Sequence, residues 1–523
     1  MKTAKRLLSV LLILVMVAAL VACGGDETTT DTNTGSQDVQ KPTTNTNTNT
    51  SGETENPGDP EGPKEPAWKK WEQKELSEED KAAFAGKNYI IIQHSQPEDP
   101  FGYSQDSLMG ASVADRIVQV QDKYGCTFTF EYVAYGSTDF VSAIQAKQFA
   151  ENAGDLLYIN NNASVRRVLG TGGDSSLMVD LLALDDIINF WNTDKWGNIS
   201  CRETMMAGGT FYGVSPALWT DATPLPFYQV VYNRSMIVED FGATDPQEYW
   251  EKEAWDRDAM LDVIEACYDD SMGEPIIGMA GAEVHLVRAT YLTCGQPLAI
   301  IKSINQDETV DWECGLTSPD AIEALTWLKT ALTTHSKNFF IGGGWNNHEK
   351  VAAGQAAMAL TRPQGILNSS TSIVTTMENF GLTVWAGAEA NVLSGFYENC
   401  TSISIPLFAQ DYNQSAYLMY DLFEGMDGIE TYDDVLKYYR DTYFETDLDM
   451  TMLVRPGTEF QYSYWPNGCD AVWSSINANN LLSASSVKTL VEKAAATTTA
   501  GIEEHMVPNK VALEKYRQNG YFE

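Results

Sequence analysis

The stretch from Tyr89 to Asn160 alternates strand and helix, and this alternation restricts the fold more than any other part of the chain. Tyr89-Ile90-Ile91-Ile92-Gln93 is a short apolar run that reads as a buried strand. A helix is predicted from about Ser107 to Tyr124, with Val113, Ile117, Val120 and Tyr124 on one face and Gly125 as its stop. Phe128, Phe130 and Tyr132 alternate in a second strand. Ser137-Thr138-Asp139 can cap a further helix carrying Phe140 and Ile144, and Asp155 to Asn160 is a third strand. This order predicts a parallel, doubly wound sheet. Ligands of such sheets bind beyond the carboxyl ends of the strands. Gln93, His94 and Ser95, with Asn160, Asn161 and Asn162, therefore fall at a cleft edge; loop polars of this kind serve ligand contact and plain solvation equally well.

What precedes this body is of another character. Lys2, Lys5 and Arg6 stand before an apolar run from Leu7 to Val21, which ends in Leu20-Val21-Ala22-Cys23-Gly24-Gly25. Charge, apolar core and small residues at the cut are the layout of a secretory signal. The run is short for a comfortable membrane span. With Cys at the cut, the pattern resembles a bacterial lipobox. That resemblance implies a signal peptide over 1–22, a lipidated Cys23 as the new N-terminus, and a protein held on the outer side of the cell membrane by lipid alone. From Asp26 to about Pro66 the chain is Thr, Asn, Gly, Pro, Asp and Glu, with Thr44 to Thr50 a strict Thr/Asn alternation. Such a segment cannot bury enough apolar surface to offset its ordering entropy, so 23–66 is expected to be a disordered tether. Residues 67–86 form a lead-in, in which Ser77-Glu78-Glu79-Asp80 is a helix start.

The body from Lys87 to Glu523 is long enough for two domains with ample core. Lys and Arg number 34 against 72 Asp and Glu, a net charge of −38, and such a surface repels nucleic acid and anionic lipid. Besides Cys23 there are Cys126, Cys201, Cys267, Cys294, Cys314, Cys400 and Cys469. Their odd number and the lack of any CxxC argue against a disulfide scaffold or a zinc site and for buried thiols, with one or two bridges still open. His94, His285, His335, His348 and His505 show no metal-ligand spacing.

Four stretches carry a resemblance to a known family. Thr210-Phe211-Tyr212-Gly213-Val214-Ser215-Pro216 resembles a "YGVP" segment, and Tyr228-Gln229-Val230-Val231-Tyr232-Asn233-Arg234 resembles a strand ending in "YNK". Val351 to Leu360 resembles "F-x-x-G-x-A-A-M", and Ser402-Ile403-Ser404-Ile405-Pro406 resembles a strand late in the chain. Ser215 stands where Pro is usual and Val351 where an aromatic is usual. In this order, behind a lipobox, they are similar to the extracellular solute-binding proteins of ABC importers, the branch that mostly carries sugars and oligosaccharides. The resemblance implies an α/β, two-lobed periplasmic-binding-protein-like fold, each lobe a doubly wound sheet flanked by helices, joined by hinge crossings. It places the crossings near Gln229 to Asn233, Gln355 to Leu360 and Glu398 to Ile403. The first lobe becomes 87–230 plus 359–398, the second 231–358 plus 399–523. It implies a monomer that needs no cofactor, captures a carbohydrate and hands it to the permease subunits of an importer. Ser318-Pro319-Asp320 starts a helix with Leu325, Leu328 and Leu332 on its apolar face, and another helix runs from about Ser486 to Glu492.

A sugar site needs flat aromatics for ring faces and planar polar groups for hydroxyls. Trp219 and Asp221 follow the "YGVP"-like segment, Arg362 follows the Ala-Met segment, Trp385 lies beyond it, and Glu398 with Asn399 sits at the late crossing. Trp465, in a late loop rich in Tyr and Trp, is the position where the resemblance implies a stacking aromatic. Asn161 and Gln93 complete the candidates, with Glu283 after Gly278 to Gly281 a weaker one. A tryptophan serves core packing as readily as stacking, and a buried arginine can belong to a structural ion pair.

Enzyme chemistry finds no support in motifs. There is no G-x-S-x-G elbow, H-E-x-x-H or P-loop, and Gly170-Thr171-Gly172-Gly173 and Gly342-Gly343-Gly344 lack dinucleotide spacing and read as turns. A glycosidase needs only two placed carboxylates, which an acidic chain always offers. A tethered sensor that presents its ligand to a membrane receptor would share the fold and differ in partner.

Overall fold

A computed structural model describes residues 67–104, 108–133, 144, 146–147, 150, 154–160, 177–220, 222–271, 273–305, 309–367, 371–397, 400–444, 446–455, 459–460 and 471–521. All belong to the unit Lys64–Glu523. The strands that build its two large sheets are β1 (Asn88–Gln93), β2 (Thr127–Tyr132), β3 (Leu156–Asn160), β4 (Gln229–Asn233), β5 (Ile277–Gly281), β6 (Phe339–Ile341), β7 (Ala356–Thr361), β8 (Phe380–Val384) and β9 (Thr401–Ser404). The helices used below are α1 (Leu108–Tyr124), α2 (Glu283–Leu292), α3 (Pro319–Thr334), α4 (Tyr412–Leu422), α5 (Val487–Gly501) and α6 (Val507–Gln518).

The first sheet has the order β9-β3-β1-β2, with β1 parallel to both β2 and β3 and β9 antiparallel to β3. Its early part follows the alternation of the sequence. Val113, Ile117, Val120 and Tyr124 of α1 are all buried, and Gly125 ends the helix at φ +63°. Of the helix expected to carry Phe140 and Ile144, residues 144, 146 and 147 are described and helical, with Ile144 buried, while Phe140 lies outside the described residues. The lead-in is part of this lobe's packing. Ser77 caps a short helix over Glu78–Ala82, Phe84 is wholly buried and lies 4.5 Å from the Tyr124 ring, and the Trp71 Nε1–H donates to the Asp185 carbonyl at 2.9 Å.

The second sheet has the order β6-β5-β7-β4-β8. Strands β6, β5 and β7 run parallel, while β4 is antiparallel to both β7 and β8. Every residue of β7 is buried, as suits a central strand with helices on both faces. Ser318 caps α3, whose Leu325, Leu328 and Leu332 enter this core, and Ser486 caps α5.

The strands correct the expected lobe boundaries. The Ala-Met segment is not a crossing but the centre of the second sheet, and β8 pairs with β4 beside it. Strand β9 belongs to the first sheet. So 359–384 packs with the second lobe and 401–426 with the first: Leu360, Leu382 and Trp385 share one core, and Ile403, Leu418 and Phe423 the other. The backbone passes between the sheets over 214–229 and 385–401; Val214, at the start of the first connection, bridges Ile403 of β9, and the Ser215 hydroxyl donates to the Thr401 carbonyl, at the end of the second, at 2.6 Å. Arg455 clamps the two connections. Its wholly buried guanidinium donates to the carbonyls of Phe227 and Ser394, one on each connection, and to that of Met452 at 2.7 Å.

Candidate functional site

Among the described residues the carboxyl ends of the parallel strands in the second sheet gather one aromatic and cationic cluster. Strand β5 ends at Gly281 and turns into α2, which Glu283 opens and which carries His285 and Arg288. The residue before α2 is Ala282, so its first turn receives no side-chain cap. Strand β6 ends at Ile341 and runs into Gly342, Gly343 and Gly344, at φ +153°, +76° and +57°, before Trp345. Only glycine takes such a succession at little cost. Strand β7 ends at Thr361 and delivers Arg362. Antiparallel β4 begins at the same edge, so Tyr228 joins them through a bond from its amide to the Thr361 carbonyl.

The rings stack. His285 lies against Trp345 with centroids 3.5 Å apart and planes 28° apart, and Tyr228 stacks on Trp345 at 5.7 Å. Phe227 meets Trp345 edge-on at 5.2 Å. The Arg362 guanidinium stands 6.0 Å from the Trp345 ring, and Arg288 donates to the Tyr228 hydroxyl at 3.2 Å while lying 5.1 Å over Trp473. Trp345 and Arg362 are partly exposed; Tyr228, His285 and Arg288 are buried beneath them. Burial, then the charges of Arg288 and Arg362, push the His285 pKa down to about 3, so its imidazole is neutral at physiological pH. His348, bonded through Nδ1 to the Thr361 hydroxyl at 3.3 Å, is also lowered, chiefly by burial. Tyr228 itself sits at φ +72°, a strained value for a bulky residue and one that accumulates where a structure has a task.

At the matching edge of the first sheet, Gln93 is consumed by the loop that follows it. Its Nε2 donates to the carbonyls of Gln96 at 2.8 Å and Asp99 at 3.1 Å, and its Oε1 accepts from the Phe101 amide at 2.7 Å. Phe101, held at φ +55°, fills a cage of Phe130, Tyr158, Trp219 and Phe423. Trp219 is therefore a core residue with 0% exposure, its Nε1–H donating to the Glu424 carbonyl at 3.1 Å. Trp385 is likewise packed, edge-on to Trp327 at 6.5 Å. Of the residues named from sequence, then, Gln93 and Trp219 meet around Phe101, Trp385 lies in the second core, and Arg362 alone joins the cluster. Cys23, Asn161, Asp221, Glu398 and Trp465 lie outside the described residues.

Tyr228, His285, Arg288 and Trp345 escaped sequence reading. The signal for Trp345 was present: a triple glycine directly after the apolar run Phe339-Phe340-Ile341 marks a strand end that must turn sharply. Of the described cysteines, Cys126, Cys201, Cys267 and Cys400 are buried. No cluster of metal-ligating groups occurs among the described residues, and none of their helices is long and apolar enough to cross a membrane. A cavity of about 140 Å³ under the lead-in, between Lys74, Phe84, Ile187 and Tyr417, is small for a ligand of drug or sugar size.

No family model matches the chain, and no curated protein does. Solved structures do. An ABC substrate-binding protein of Listeria monocytogenes in complex with cycloalternan is 14% identical with a TM-score of 0.50, over 80% of this chain and 99% of its own. A cyclic α-maltosyl-1,6-maltose binding protein from Arthrobacter globiformis is 12% identical with a TM-score of 0.53, over 80% and 99%. The chain has the fold of the ABC substrate-binding proteins. A cyclo/maltodextrin-binding protein complexed with maltotetraose shares the same fold at 12% identity and a TM-score of 0.52, over 79% of this chain and 97% of its own. In this two-lobed fold the cluster lies at the carboxyl-end edge of the second lobe's parallel strands.

Proposed function

We propose that the protein is a lipid-anchored, extracellular solute-binding protein that captures a carbohydrate and delivers it to an ABC importer, without catalysing a reaction. The observation that carries this reading is the cluster of Trp345, Tyr228, His285 and Arg362 at the strand ends of a substrate-binding fold. Stacked aromatics beside a five-donor guanidinium match the apolar faces and hydroxyl edges of a sugar ring. Likeness to solved binding proteins for cycloalternan, maltotetraose and cyclic α-maltosyl-1,6-maltose supports the ligand class. Asn161, Asp221, Glu398 and Trp465 remain candidates for further contacts.

The test is calorimetric titration and thermal shift with cycloalternan, maltotetraose and cyclic α-maltosyl-1,6-maltose. A sugar that binds only the native state raises the melting temperature with the logarithm of its concentration. Absence of heat and of any shift with all three, and with a wider panel of mono- and oligosaccharides, would sink the carbohydrate reading. The lipobox-like run supports the anchor: Cys23→Ser should move the protein from the membrane fraction to the soluble one. Unchanged partition would remove the lipid from the proposal and leave the ligand untouched.

A further inference from the structure

His285 holds a ring nitrogen that its surroundings do not satisfy. The residue is 9% exposed, and its buried Nδ1 has no hydrogen-bond partner among the described residues. Buried polar atoms are almost always bonded, and one left over points to a role. Several groups face the imidazole from separate elements: Arg288 from its own helix, Tyr228 from the start of β4, Trp345 from the turn after β6 and Arg362 from the end of β7. Trp345 covers it. The indole lies flat on the imidazole at 3.5 Å, is itself partly exposed, and stands on three successive glycines of positive φ. A glycine stem has more accessible backbone conformations than any other; this one is held by Asn347, whose Nδ2 donates to the carbonyls of Gly342 at 2.9 Å and Gly344 at 3.0 Å, so moving the tryptophan requires those two bonds to open and not the rearrangement of a strand or helix.

We propose that Trp345 and His285 form a covered ligand subsite, in which the indole lifts on its glycine stem and a sugar ring takes its place, one sugar hydroxyl hydrogen-bonding His285 Nδ1. This rests on the carbohydrate-binding reading. A hydroxyl can donate or accept, so it satisfies either tautomer of the ring. The two arginines and burial keep the imidazole uncharged, which suits an uncharged hydroxyl and adds no further cation beside Arg288 and Arg362.

The experiment uses the mature chain labelled with 5-fluorotryptophan, the Trp345 resonance being assigned by its loss in Trp345→Phe. Maltotetraose, cycloalternan and cyclic α-maltosyl-1,6-maltose are the probes. On saturation with a sugar that binds, the Trp345 fluorine signal should move. His285→Phe keeps an aromatic face but has no ring nitrogen, and its affinity should fall about tenfold or more. His285→Asn, which offers an amide near the place of Nδ1, should stay within about threefold of the native protein. Melting of each variant without sugar separates a lost fold from a lost contact. Native affinity in a folded His285→Phe, or a Trp345 signal unmoved at saturation, overturns the subsite while leaving carbohydrate binding intact. A native protein that binds none of the probes overturns the binding reading, and the subsite with it.

Discussion

Trp219→Ala separates a packing residue from a ligand contact. The side chain is wholly buried, meets Phe101 edge-on at 5.4 Å and Tyr103 edge-on at 5.8 Å, lies tilted against Phe423 at 4.8 Å, and donates to the Glu424 carbonyl. Removing a buried tryptophan costs about 3–5 kcal/mol in transfer and cavity terms. The upper half of that range applies here, because Phe101 sits at φ +55° and depends on its cage to stay there. If Lys64–Glu523 melts as one unit, its unfolding entropy is about 1 kcal/mol/K from ~2.1 cal/mol/K per residue, so the melting temperature falls by ~4–5 °C. If the first lobe melts alone, the entropy is about half and the fall is nearly doubled. Trp219→Phe keeps most of the ring burial and loses mainly the indole hydrogen bond, about 1 kcal/mol. Differential scanning calorimetry without ligand gives the shift, and titration with a sugar that binds gives the affinity. The expected pattern is a graded loss of melting temperature, Ala beyond Phe, with affinity unchanged. Native melting with a tenfold weaker ligand would refute the packing argument and restore Trp219 to the site.

Acid should act through His285. The unfolded residue takes up a proton near pH 6.5, the folded one only near 3, so between these values the unfolded state holds the extra proton and stability falls as pH falls. At pH 4.5 the difference is on the order of 2–3 kcal/mol. Buried Glu203 and Asp449, whose pKa values are raised, act in the opposite sense, so the contribution is read as the difference in melting between native protein and His285→Asn from pH 7 to 4.5. Parallel curves would contradict it. Arg455→Met should destabilise by about 3 kcal/mol or more, since it strands the carbonyls of Phe227, Ser394 and Met452, and a melting temperature equal to that of the native protein would show that Arg455 does not clamp the connections.

Much of the first lobe was legible in the sequence, because β1, α1, β2 and β3 each carry a local signal, an apolar run or a periodic face, and β2 and β3 both pair with β1. The caps at Ser77, Ser318 and Ser486 were readable for the same local reason. The exchange of strands was not. An all-buried run such as Ala356–Thr361 looks the same whether it crosses between lobes or sits at the centre of a sheet, and the antiparallel insertion of β4 between β7 and β8 leaves no periodic trace. The site was half legible. Arg362 follows a recognisable segment, but His285 and Arg288 lie within α2, where the burial of nearly every position hides the difference between a core face and a ligand face. Trp219 was misleading because a tryptophan before a connection looks alike whether it points at a ligand or at Phe101.

The placement of β9 has a consequence for how the chain is made. The first sheet lacks its edge strand until Ser404 has been synthesised, although β3 ends at Asn160. At typical translation speeds that interval is roughly 10–50 s. The five strands of the second sheet are contiguous in sequence, but no contiguous fragment holds the first sheet without them, so the first lobe cannot be expressed alone by simple truncation. Nor can the growing chain finish its amino-terminal half early: that half stays incomplete, with β3 open along one side, through most of synthesis.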